Sequence, residues 1–200
     1  TFGNTGRASF DFRGQQLLTL LTAVQVDRAG RIWVAGYTQF SETDTDFIVA
    51  RLRPDGSLDT AFCNGAGYKT VPFDLDSATT RKRSDQAWGL LLQSDGRIVL
   101  TGSASNGEAN GYGSDFAAAR LMPDCSLDPS FGNSGKLHAH FAGSMPVSSV
   151  LDAHFGGSGI VLAGYAANVD ADHNNYVGDG QFGVAMIRLD LLFTDGFDAP

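Results

Sequence analysis

Cationic surplus is missing from this chain of 200 residues: 14 Lys and Arg stand against 22 Asp and Glu, a formal net charge of −8. Such a surface repels a phosphate backbone, so no nucleic-acid partner is expected. The one basic run, Arg81-Lys82-Arg83, is short, flanked by Thr80 and Ser84, and reads as a solvated loop. No apolar run reaches the ~18 residues of a membrane span. The best attempt, Leu17 to Val26, is broken by Thr19, Thr22 and Gln25. Glutamate is confined to Glu42 and Glu108, which gives the paired carboxylates of a glycoside hydrolase no starting point. There is no Gly-x-Ser-x-Gly elbow either, and Gly156-Gly157-Ser158-Gly159 reads as a tight turn. Initiator Met and signal peptide are both absent, so Thr1 is expected to begin a processed or fragmentary chain. The two cysteines, Cys63 and Cys125, lack metal-type spacing.

What is present is a repeat. Gly30-Arg-Ile-Trp-Val-Ala-Gly36 recurs as Gly96-Arg-Ile-Val-Leu-Thr-Gly102 and again as Ser158-Gly-Ile-Val-Leu-Ala-Gly164. Asp46-Phe-Ile-Val-Ala-Arg-Leu52 recurs as Asp115-Phe-Ala-Ala-Ala-Arg-Leu121, with Gln181 to Leu189 as a looser third copy. Leu58-Asp-Thr-Ala-Phe62 matches Leu127-Asp-Pro-Ser-Phe131, and Thr1-Phe2 carries the end of the same pattern. Each string is a short Val, Ile, Leu and Phe run bounded by Gly or Asp, which is strand rather than helix. Asp27-Arg-Ala-Gly30 and Gln93-Ser-Asp-Gly96 are hairpin turns in which Gly supplies a positive φ. With 42% hydrophobic residues and 25 glycines, the chain reads as all-β and able to bury a core. Ile98-Val99-Leu100 and Leu90-Leu91-Leu92 are apolar on both faces, as in a sheet held between two other sheets.

The combined string Gly-Arg-Ile-Val-Leu-Thr-Gly, Asp-Phe-(x)3-Arg-Leu and Pro-Asp-Gly-Ser-Leu-Asp-(x)2-Phe resembles the delta-60 repeat, a β-propeller-like repeat of bacterial secreted and surface proteins. The resemblance implies a β-propeller and a bacterial extracytoplasmic setting, secreted or on the cell surface, and it implies no activity. Leu191 to Asp198 departs from the repeat ending and resembles a terminal Asp-Gly-Phe-acid motif of some secreted bacterial proteins.

One propeller domain over 1–200 is therefore expected, with three four-stranded antiparallel blades at about 1–60, 61–129 and 130–190 and a tail at 191–200. Three blades leave two open edges, which calls for self-association into a six-bladed ring or for additional blades. The outer strand is expected to come before the inner one, pairing Tyr68–Phe73 with Phe116–Leu121. That pairing sets Cys63 beside Cys125 and predicts a disulfide.

Four groups of side chains invite chemistry. His138 and His140 share a strand face and could join His154 in a zinc site. The repeat aligns them with Ser9 and Thr70, and with Asp11 and Pro72, so the polar face of an outer strand is the preferred reading. Arg51 with Asp59, and Arg120 with Asp128, recur in register and read as structural ion pairs. Asp170, Asp172, Asn174 and Asp179 place oxygen ligands in a long loop that resembles a calcium loop without the EF-hand Gly and Glu. No catalytic residue stands out. The expected function is a non-enzymatic secreted module for binding or surface architecture, with its contacts on the face that carries the long loops. A propeller-scaffold hydrolase or lyase, and a purely structural repeat of a larger surface protein, are the alternatives.

Overall fold

The computed structural model describes residues 2–9, 12, 18–75, 83–107, 113–141, 147–156, 159–169, 176–188 and 197–198. Among these no α-helix occurs, and one 3-10 turn spans Cys63–Gly65. The strands in chain order are β1 (Leu18–Val26), β2 (Ile32–Ser41), β3 (Asp44–Leu52), β4 (Tyr68–Val71), β5 (Arg83–Ser84), β6 (Gln86–Leu92), β7 (Ile98–Ser105), β8 (Ser114–Leu121), β9 (Lys136–Ala139), β10 (Val147–Gly156), β11 (Gly159–Val169), β12 (Tyr176–Arg188) and β13 (Phe197–Asp198).

Hairpins between successive repeat strings build one sheet in the order β1-β2-β3-β4, with β5 parallel to β3 at its start. A second sheet runs β13-β12-β11-β10-β8-β7-β6, with β9 on β8. Its β10–β8 junction is a single parallel partner pair, Val147 with Ser114, so the sheet divides into two antiparallel units. Neither sheet closes on itself. The first unit is β1 to β4, the second β6 to β9, and the third β10 to β13.

The expected pairing of Tyr68–Phe73 with Phe116–Leu121 does not form. Tyr68–Val71 lies antiparallel to Phe47–Ala50, and Lys136–Ala139 to Phe116–Ala119. The fourth strand therefore follows the third strand of its own unit, and the divisions expected near residues 60 and 129 fall inside units. A compact return makes the local solution available. Leu52 bridges Leu58, the Asp59 N–H donates to the Arg51 carbonyl, and the Arg51 N–H donates to the Gly67 carbonyl. Arg120, Asp128 and Gly135 repeat that pattern. Closing a short loop costs less chain entropy than bringing in a distant strand.

The second glycine of each repeat string has a steric cause. A β-bulge interrupts the first strand of every unit, between Leu21 and Ala23, Ala87 and Gly89, and Val150 and Asp152. Gly36, Gly102 and Gly164 face these bulges, and a Cβ there would collide with the carbonyls of Leu20, Gln86 and Ser149.

The core lies between units. Trp33, Ala35, Phe47 and Val49 of the first unit pack with Leu90, Ile98, Leu100 and Leu121 of the second. The opposite face of the second unit, through Leu91, Val99 and Phe116, packs with Val150, Ile160, Leu162 and Ile187 of the third. The middle unit is thus covered on both faces. Every large hydrophobic residue that remains exposed among the described residues belongs to the first or third unit or to the N-terminal segment.

Candidate functional site

The repeated Arg and Asp of each return meet. Arg51 Nε donates to Asp59 Oδ2 at 2.7 Å, and Arg120 Nε to Asp128 Oδ2 at 2.9 Å. Each guanidinium also lies over a return phenylalanine, at 5.0 Å from Phe62 and 4.6 Å from Phe131. Burial works to raise the Asp128 carboxyl, but hydrogen bonds from Ser130 and the charges of Arg120 and Arg97 outweigh it and hold it below the ordinary range. Both pairs pin a return against its own third strand.

Cys63 and Cys125 are bridged, with Cα atoms 5.3 Å apart. The strand pairing from which the bridge was expected is absent, and a different contact brings the two residues together. Cys63 stands at the register of Gly132, and both have a φ of 53°. Cys125, at φ 70°, stands at the register of Gly56, at φ 85°. The return of one unit therefore touches the Pro-Asp turn of the next. The same contact is made without sulfur where the Gly3 N–H donates to the Asp55 carbonyl at 2.6 Å.

His138 and His140 do converge, on an acid from another strand. Both present Nδ1 to the Asp115 carboxylate, at 2.8 and 2.9 Å, and Asn106 Nδ2 donates to the same group at 2.6 Å. An ionised carboxylate only accepts, so each ring carries its proton on Nδ1. Burial pushes the Asp115 carboxyl up, yet the donors from His138, His140 and Asn106 hold it below the ordinary range. The hydrogen bond to Asp115 in turn raises His138. His154 stands on β10 opposite Val161, and no group of three His, Cys, Asp or Glu among the described residues is placed to hold a metal ion. The zinc set is therefore not assembled.

Asp46 occupies in the first unit the register of Asp115. Burial, with Asp44, Asp85 and Asp74 nearby, pushes its carboxyl up to about 7. Asp85 is buried at the junction of the first two units. It accepts from the N–H groups of Phe73 at 2.6 Å and Ser105 at 3.2 Å, and burial still raises it to about 6. Asp170, Asp172 and Asn174 lie outside the described residues, as do Arg81, Lys82 and Ser158. Asp179 is within β12, but its side chain lies outside the described residues.

A feature the sequence did not announce lies at the junction of the second and third units. A cavity of about 460 Å³ opens at the end of the sheets from which the β7–β8 connection leaves. Five serines, Gln86, Trp88 and Tyr165 are among its ten lining residues. Its only trace in the sequence is Ser103, which stands where the other copies of the repeat have Tyr37 and Tyr165.

Residues 30–62 and 93–131 match a family model described as a β-propeller domain of unknown function, DUF5122. The match supports a β-propeller-like repeat family. Both stretches run from the turn between the first two strands of a unit, through its third strand, to the return phenylalanine. The propeller repeat is thus matched twice, in the first unit and in the second. No curated protein and no solved structure matches the chain.

Proposed function

We propose that this chain is a non-enzymatic propeller module of the delta-60 kind, serving binding or surface architecture outside the cytoplasm. Its ring is completed by a second copy of the chain docked head to tail. Phe182 carries this reading. Phe47, Phe116 and Phe182 hold one register, opposite Tyr37, Ser103 and Tyr165, and the first two are 0% exposed while Phe182 is 96% exposed. Val184 and Met186 extend the same open face. Within the chain this face is covered twice by the opposite face of the following unit. The first unit presents that opposite face only partly covered: Phe12 packs over Val34, Ile48 and Ala50, while the β1 side stays open, with Val24 and Val26 each 62% exposed. Burying one Phe-sized side chain contributes about 1.5–3 kcal/mol, so faces of this kind stabilise docking strongly. The Cys63–Cys125 bridge favours an oxidising compartment. Among the described residues, no helix is long and apolar enough to cross a membrane.

Light scattering after size exclusion tests the ring. A mass of twice 21.1 kDa is expected, and Phe182→Asp should return it to the single-chain value. A stable, compact 21.1 kDa species for the unaltered chain would overturn the proposal.

A further inference from the structure

The cavity between the second and third units is not a by-product of the repeat. At the preceding junction, the ring of Tyr37 packs against Trp88 with centroids 6.0 Å apart. Trp88 is the extra residue of its β-bulge, and Leu151 is the extra residue of the corresponding bulge in the third unit. The residue that should face Leu151, as Tyr37 faces Trp88, is Ser103. Replacing a Tyr–Trp pair by Ser and Leu removes two ring systems, and the space they would fill remains open.

The lining dictates what fits. At about 460 Å³ the cavity falls within the range of small-molecule sites, roughly 300–1,000 Å³. None of its ten lining residues is charged, so an ionic ligand would leave water without a counter-charge. Ser149 donates to Ser103, Ser114 to the Ser148 carbonyl and Gln86 to Ser84, so the lining is already hydrogen-bonded, and a purely apolar ligand would leave the spare donor and acceptor capacity of these hydroxyls unmet. The Trp88 side chain offers a ring on which a C–H surface can stack, and Tyr165 borders the cavity. A ligand with hydroxyls around its rim and apolar faces satisfies all of these together. We infer that the cavity binds a short neutral saccharide. This deepens the binding-module reading, and it rests on that reading only for its purpose, since both walls belong to one chain.

Titration calorimetry on the full chain tests the inference, with maltose, cellobiose, lactose and N,N′-diacetylchitobiose as neutral probes and glucuronate and glucosamine as charged controls. At least one neutral probe should bind with Kd of about 1 mM or tighter and shift tryptophan emission. Ser103→Tyr should weaken that binding by about tenfold or more while leaving the melting temperature unchanged, because Tyr is already tolerated at this register in two copies. Trp88→Phe, which keeps a ring against Tyr37 and shrinks the stacking surface, should weaken it severalfold and serves if Ser103→Tyr does not fold. Absence of heat for all neutral probes at about 10 mM, equal binding by the folded variants, or equal binding of the charged controls would overturn the site. The solution mass is untouched by any of these outcomes, so the ring and the saccharide site fail separately.

Discussion

Asp46 and Asp115 begin the same strand string in two successive units, yet their carboxyls end on opposite sides of the ordinary value. Asp46, beside three other acids, is raised to about 7, and the Lys136 charge only partly relieves it. Asp115, closed in by His138, His140 and Asn106, is lowered. Burial acts to raise both, so burial does not decide between them. The neighbouring fourth strand does: β9 brings His138 to the second unit and leads on to His140, while β4 brings Thr70 and leads on to Pro72. A repeated fold therefore supplies a repeated position, and one facing strand is enough to reverse its electrostatics.

The largest effect is expected where the clamp is removed. Asp115→Ala removes the acceptor of two ring N–H groups and an amide; the half-exposed rings can turn to water, so the cost should be about 1–2 kcal/mol in urea unfolding at neutral pH. Asp46→Asn should cost nothing at that pH, or stabilise.

The pH dependence separates the two sites further. A carboxyl raised on folding favours the protonated folded form. Asp46 and Asp85 therefore contribute most below the ordinary 3.8, and this contribution is lost as pH rises through about 6 to 7. His138, raised by Asp115, contributes below its ordinary 6.5 and loses that contribution as pH rises through its higher folded value. Asp115 acts in the other direction, contributing above the ordinary carboxylate range and failing only as acid reaches its lowered value. Stability measured from pH 5 to 8 should fall, and Asp46→Asn should flatten the part of the fall below about 7, where Asp46 holds its proton in the folded chain alone. An unchanged slope in that variant would contradict the raised Asp46.

The smallest effect sharpens the comparison most. Thr70 pairs with Ile48 as His138 pairs with Ala117, so Thr70→His supplies the missing ring at matched register. The Asp46 carboxyl should then titrate well below about 7 in carbon-detected NMR, with stability changed by under about 1 kcal/mol.

The strands were legible because each repeat string is apolar, short and bounded by turn residues. The ion pairs were legible because Arg and Asp recur eight residues apart in two copies. Which strand begins a unit was not legible. In a tandem array the outer strand precedes one unit and follows another, and only the pairing of Tyr68–Val71 with Phe47–Ala50 decides the phase. His138 and His140 could be placed on one face by their spacing, but Asp115 lies on a different strand and joins them only through the register of β9 on β8. The saccharide cavity was hidden for a similar reason, since it depends on a side chain that two copies have and one lacks.

The bulge opposite Gly36, Gly102 and Gly164 has one more consequence. Each inner strand carries its own extra residue, so its bend is written within the copy and does not depend on the neighbour that happens to cover it. A copy can be duplicated or deleted whole, and the backbone of those that remain keeps its curvature. For an array built this way, the shape of each unit is its own property, and only the closing of the ring sets how many there are.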